Sequence, residues 1–346
     1  MIDLPLPESI RHDFWGLFDD NHALCNGQPA RQLDMFPYME YYKRQWNNMV
    51  ADADGRYITI RTYEDVLDII GLINKDRTRE EIISHLRSKS PSATTEAYEN
   101  SLNLAARLLL MLKIGVVKHQ AVPRHYITWD QGTLADLVKE RFNEVQVLDT
   151  CHVRLPKSFN AWSINVIGGL EIEFTDNLAD HLLLVDDDTK VLIFHHASFL
   201  ECQRRSLFPE GLADEALRTL ALIFPQSEFR SRRGKTDKST WFRKLCSSSS
   251  PCSVDPRITL CGNLRAEDRQ IEHFKFWRDR LIILKQAYDD SSPKTLSQWW
   301  HDRRNGERWY TFWIAVLVFI VTTTVGIIQC IESGMQVYKA YVPTPS

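Results

Sequence analysis

The 346-residue chain has no Cys-x-x-Cys pair; its seven cysteines stand at 25, 151, 202, 246, 252, 261 and 330. An odd number at such scattered spacings excludes a disulfide framework or a zinc knuckle and implies a reducing compartment for most of the chain. No Asn-x-Ser/Thr sequon occurs, which points the same way. The opening residues, MIDLPLPESIRHDFWGLFDD, carry acids and prolines where a secretory signal has a basic start and an apolar core, so no targeting peptide is expected there. Charge of one sign is lacking too: a formal net charge of -3 gives no reason to expect nucleic acid as the main partner. Hydrophobic residues at 44% and charged residues at 25% are ordinary, so most of the chain should fold.

Catalytic signatures are also missing. The chain contains no His-Glu-x-x-His, Gly-x-Ser-x-Gly or Gly-x-Gly-x-x-Gly. RRGKT ends like a phosphate loop, but Phe229 stands where that loop needs its first glycine. DADGRYITI and DDDTK begin like calcium loops, yet Arg56 and Lys190 occupy the fifth position and no glycine follows at the sixth. Cys151-His152 has no identifiable orienting partner. No catalytic residue and no cofactor is therefore expected, and an interaction or adaptor module is the leading functional expectation.

What is present in quantity lies near the C-terminal end. Trp309 to Ile331 is 23 residues without a charge, about 35 Å of helix against a hydrocarbon core of about 30 Å. One membrane span fits, with no candidate for a second. Trp309, Tyr310 and Trp313 flank one end and Tyr338 and Tyr341 lie past the other, where amphipathic rings favour the membrane interfaces. Lys294, Arg303, Arg304 and Arg308 precede the span and only Lys339 follows, so the positive-inside tendency places the large N-terminal part in the cytosol. That is the layout of a tail anchor in an endomembrane or the plasma membrane, with 332–346 as a short non-cytosolic tail. Thr322, Gly326, Cys330 and Gly334 recur every four residues and stack small side chains on one face. A second copy or a partner membrane protein could pack there. The expected partners are thus the lipid bilayer, a helix in the membrane and unidentified cytosolic proteins.

The rest reads as an α+β body, mostly helical with a few short strands, followed by a long helix and the membrane helix. Residues 1–55, rich in aromatics, Pro, Asn and Asp, suggest an irregular arm. In 56–120, Thr62 caps YEDVLDIIGLI, Thr78 and Glu81 have capping-box spacing, and a third helix runs from about Thr95 through Leu112 to Gly115. A small bundle or a winged-helix-like domain would result. Its last helix offers only Arg107 as a base, which argues against reading DNA. In 121–228, SINVI, LEIEFT and KVLIFHH have strand character between helical runs such as NLADHLLLV and DEALRTLALIF. Residues 229–262 are basic and Ser-rich and suggest a flexible loop able to attract anionic lipid. In 263–308, LRAEDRQIEHFKFWRDRLIILKQAYDD predicts one long helix whose Phe274, Trp277, Leu281, Leu284 and Tyr288 form a packing seam before Pro293.

One stretch could carry chemistry. DNLADHLLLVDDDTKVLIFHH holds Asp176, Asp180, His181, Asp186, Asp188 and His195, ligand types suited to Zn, Mn or non-haem iron. A membrane-attached metal-dependent enzyme using 176–196 is the competing expectation. On a strand, His195 and His196 would point to opposite faces and not share an ion. The Asp run also reads as a polar turn.

In LSQWWHDRRNGERWYTFWIAVLVFIVTTTVGIIQCIESGMQVYKAY, IEFTDNLADHLLLVDDDTKVLIFHHASFLECQ, LFPEGLADEALRTLALIFP and EDRQIEHFKFWRDRLIILK, the chain resembles a family of uncharacterised proteins of filamentous fungi. The Trp-Trp-x-Asp-Arg-Arg run plus membrane segment is its most distinctive part. The resemblance implies a single C-terminal span and a fungal source, and assigns no residue a role.

Overall fold

Five of the helices begin at a side chain that caps a backbone N–H: Thr62, Thr78, Thr94, Thr133 and Asn160. The computed structural model describes residues 13–14, 34–51, 57–115, 126–143, 147–148, 153–203, 207–230, 237–248, 253–291, 298, 300, 302 and 306–341. The chain divides into two compact units, Met1–Ser291 and Ser292–Ser346.

The first unit begins its described fold with α1, Phe36–Ala51, inside the segment expected to be an irregular arm. Its aromatic residues have a helical period after all: Tyr38, Tyr41, Tyr42, Trp46 and Met49 lie on the buried face. Helices α2 (Tyr63–Ile73) and α3 (Arg79–Lys89) begin at the expected caps, Thr62 and Thr78; the expected capping box of Thr78 with Glu81 is present, and Thr62 forms a second one with Asp65. Next comes α4, Thr95–Leu110, in which every residue from Leu104 to Leu110 is buried; it is the central core helix. It ends sooner than the sequence suggests because Met111 turns left-handed (φ 49°). Arg107, the single base on this helix, is buried and donates to the carbonyls of Ile114 (2.6 Å) and Gly115 (2.9 Å). Gly115 itself sits at φ 71°, where an added Cβ would come within 2.3 Å of the Asn103 amide.

Beyond α5 (Leu134–Phe142), SINVI is helical rather than extended. Asn160 accepts from the Ser163 N–H and caps α6, Ala161–Val166. A three-stranded sheet follows in the order β1 (Glu171–Thr175), β3 (Lys190–Phe194), β2 (Leu183–Val185). β1 and β3 are parallel, with Thr175 opposite Phe194, and β2 runs antiparallel to β3. NLADHLLLV does not form the expected helix. It makes a single 3-10 turn, Leu178–Asp180, and Leu182 (φ 58°) then swings the chain into β2.

The remaining helices are α7 (Ala197–Cys202), α8 (Leu212–Ile223), the single turn α9 (Gln226–Phe229), α10 (Asp237–Ser248) and α11 (Arg278–Asp290). α10 lies where a flexible loop was expected; Trp241, Phe242 and Leu245 pack against the core and hold it. The long helix predicted from Leu264 starts only at Arg278. Glu215, buried on α8, accepts the backbone N–H groups of Lys275, Phe276 and Trp277 at 2.7–2.9 Å. Those donors are therefore spent on a carboxylate and not on a preceding helical turn. The seam residues Phe274, Trp277, Leu281, Leu284 and Tyr288 are nonetheless all buried. One continuous hydrophobic core runs from Phe14 to Tyr288, so 56–120 and 121–228 do not have separate cores.

In the second unit, α12 runs from Gly306 to Tyr341. It runs on past the expected end at Ile331, and Glu332 to Tyr341 contain no proline to stop it.

Candidate functional site

The C-terminal ends of the two parallel strands bring the acid and the imidazoles together. Asp176 follows β1, and His195 and His196 follow β3, so the register that sets Thr175 beside Phe194 delivers all three to one place. Strand geometry stops at Phe194, and His196 is already the N-cap of α7. The alternation that would have separated the two imidazoles therefore does not apply. Their rings lie 3.9 Å apart, inclined by 31°.

Both Nε2 atoms converge on one oxygen. His196 Nε2 is 2.7 Å and His195 Nε2 3.4 Å from Asp176 Oδ1. Arg44, reaching across from α1, donates to Asp176 Oδ2 at 2.8 Å. Burial alone would raise the Asp176 carboxyl, but hydrogen bonding and charge attraction from the two imidazoles outweigh it and hold it well below the usual range. Burial pushes the His196 imidazole down to about 4, helped by His195 and opposed by Asp176.

Behind His195, the Asp255 N–H donates to Nδ1 at 3.3 Å. A neutral His195 with that acceptor carries its proton on Nε2, towards Asp176. The Asp255 carboxylate is occupied by the Ser198 N–H (2.7 Å), the Ser198 hydroxyl (3.2 Å) and the Arg257 N–H (2.8 Å). Burial raises the Asp255 carboxyl, against the effect of these bonds. Among the described residues, His196 Nδ1 has no hydrogen-bond partner and His195 Nε2 has no contact better than its 3.4 Å approach to Asp176 Oδ1, although both side chains are almost fully buried. Tyr41 packs its ring edge-on to His196.

Of the six expected ligands, only Asp176 and His195 meet. Asp180 is buried beside Lys113 (3.7 Å). His181 is a satisfied core histidine: Nδ1 accepts from the Phe194 N–H (3.2 Å), and Nε2 donates to Thr219 Oγ1 (2.6 Å), whose hydroxyl donates to the Ala216 carbonyl. Burial, with the Arg280 charge adding, lowers its pKa to about 3. Asp186 and Asp188, with Asp187 between them, form the left-handed turn joining β2 to β3 (φ 53–59°). Asp and Asn adopt that conformation more readily than most residues. The turn lies at the opposite end of β3 from His195, about 17 Å away at strand rise. His196, Arg44 and Asp255 were missed. His196 was legible had the strand KVLIFHH been ended two residues earlier, at Phe194, whereas nothing local links Arg44 or Asp255 to Asp176.

The second unit holds a different candidate. α12 contains an apolar stretch, Trp309–Tyr338, long and apolar enough to cross a membrane, and none of its most apolar window is buried. Trp300, Trp309 and Trp313 cluster at its start, with Trp309 Nε1 donating to the Trp300 carbonyl at 3.3 Å. Tyr310 there, and Tyr338 and Tyr341 at the far end, are exposed. Thr322, Cys330 and Gly334 are exposed as well, and a Cβ built on Gly326 or Gly334 meets nothing within 4 Å. Lys294, Arg303 and Arg304, which set the expected orientation, lie outside the described residues, as does the tail beyond Tyr341. No protein-family model matches this chain, and neither does any curated protein or any solved structure.

Proposed function

We propose that this is a single-pass, tail-anchored membrane protein whose folded body, on the cytosolic side of an endomembrane or the plasma membrane, acts as an interaction module. The observation that carries the reading is the uncovered apolar stretch Trp309–Tyr338. Each large aliphatic or aromatic side chain left in water forgoes roughly 1.5–3 kcal/mol, so a helix with a dozen or so of them exposed forgoes on the order of 20 kcal/mol unless lipid covers it. Two further features support the reading. Aromatic residues gather at both ends of the stretch, the positions where bilayer interfaces favour them. The basic residues Arg303, Arg304 and Arg308 precede it, against Lys339 alone after it, which favours a cytosolic body.

Protease protection on intact membrane vesicles tests both anchoring and orientation. With an epitope at each terminus, externally added protease should remove the N-terminal epitope and spare the C-terminal one. Protection of the N-terminal epitope would overturn the orientation, and loss of both would overturn the span.

A further inference from the structure

We propose that Asp176, His195 and His196 form a binding site for one divalent first-row metal ion of the kind that accepts two imidazoles and one carboxylate, zinc or ferrous iron. The first argument is spacing. Donors about 2.1 Å from a tetrahedral or octahedral metal stand about 3.0–3.4 Å from one another; Asp176 Oδ1 lies 2.7 Å from His196 Nε2 and 3.4 Å from His195 Nε2. One donor atom from each of the three residues falls within 4.8 Å of the other two.

The second argument is the state of the donors. His195 Nε2 is buried with no contact better than a long, 3.4 Å approach to Asp176 Oδ1 among the described residues, a weak pairing that a bound cation replaces. Asp176 is oriented for single-oxygen ligation, because Arg44 takes Oδ2 and leaves Oδ1 facing the imidazoles. Two imidazoles with one carboxylate suit zinc and ferrous iron and leave further coordination positions open, whereas calcium and magnesium prefer oxygen alone.

Loading has two local costs. The His195 proton must move to Nδ1, which now accepts from the Asp255 N–H, and the two nearly stacked rings must open from their 31° inclination. The relocated Nδ1–H would meet the Asp255 N–H, so the ring must turn or the backbone at Asp255 must give way for that proton to find an acceptor.

The test uses the full-length, tag-free chain in detergent, stripped with a chelator. Titration with Zn²⁺ by calorimetry should give one site per chain, weakened at least tenfold in His196→Gln and in Asp176→Asn. His85→Gln, which alters an exposed histidine, should leave it unchanged. Near-UV circular dichroism confirms that each variant is folded. Absence of a stoichiometric site, or a site that survives both cluster substitutions in folded protein, would overturn the proposal. Should the cluster variants not fold, the wild-type chain loaded with one equivalent of Cu²⁺ decides by pulsed electron paramagnetic resonance. Signals from two imidazoles support the site, and signals from one or none overturn it.

Discussion

Acidification should destabilise the folded body through His181, in a way that one substitution removes. The ring accepts from the Phe194 N–H and donates to Thr219, so a second proton would set an Nδ1–H against the Phe194 N–H in a fully buried place. Burial and Arg280 accordingly lower its pKa from 6.5 to about 3. Below pH 6.5 the unfolded chain takes up a proton that the folded chain refuses, so stability falls as pH falls. The contribution is intact above the unfolded value and is lost progressively down to about pH 3. Well inside that window each pH unit costs roughly 1.4 kcal/mol, so going from pH 7 to 4.5 costs on the order of 2 to 3 kcal/mol from this residue alone. His181→Gln retains an acceptor for Phe194 and a donor for Thr219 but cannot be protonated. Urea unfolding of both chains in the same detergent, followed by tryptophan fluorescence between pH 7 and 4.5, should show the variant with the shallower decline by about that amount. Parallel pH dependence in the two chains would refute the reasoning, since every other titrating group is common to both.

Other expectations follow from single contacts. Glu215→Gln turns one acceptor oxygen into a donor facing a backbone N–H of the 275–277 segment; a loss of about 3 kcal/mol is expected in the same unfolding assay, with faster hydrogen exchange at those amides. Thr78→Ala removes the side-chain half of the α3 capping box and should cost about 1 kcal/mol, read as a lower urea midpoint at unchanged slope. Gly115→Ala forces a Cβ into the left-handed region and against Asn103, for a loss of about 1–2 kcal/mol that Asn103→Ala partly restores.

Local signals were the readable ones. The cap at Thr62 and the capping box at Thr78 need only residues three apart, and the apolar run after Arg308 needs only its own composition. The seam from Phe274 to Tyr288 foretold burial correctly but not helix, because Glu215, some 60 residues earlier in sequence, takes the N–H groups that a longer helix would have used. α1 was hidden for a related reason: Tyr and Trp are average helix formers, and their burial against α4 and α7 decides the matter through contacts such as Tyr38 with the Leu108 carbonyl and Phe199. Half of the candidate site was legible in the same sense. The Asp/His richness of 176–196 was visible, but which members meet depended on parallel pairing of β1 with β3 and on where β3 ends. Arg44, 132 residues from Asp176, left no trace in the sequence.

The central claim, that α12 holds the protein in a bilayer, is tested most directly by alkaline extraction of membranes from cells expressing the full chain or a version ending at residue 305. The full chain should stay in the membrane pellet, and the shortened one should move to the supernatant as folded protein. Release of the full chain by alkali, or retention of the shortened one in the pellet, would contradict the account.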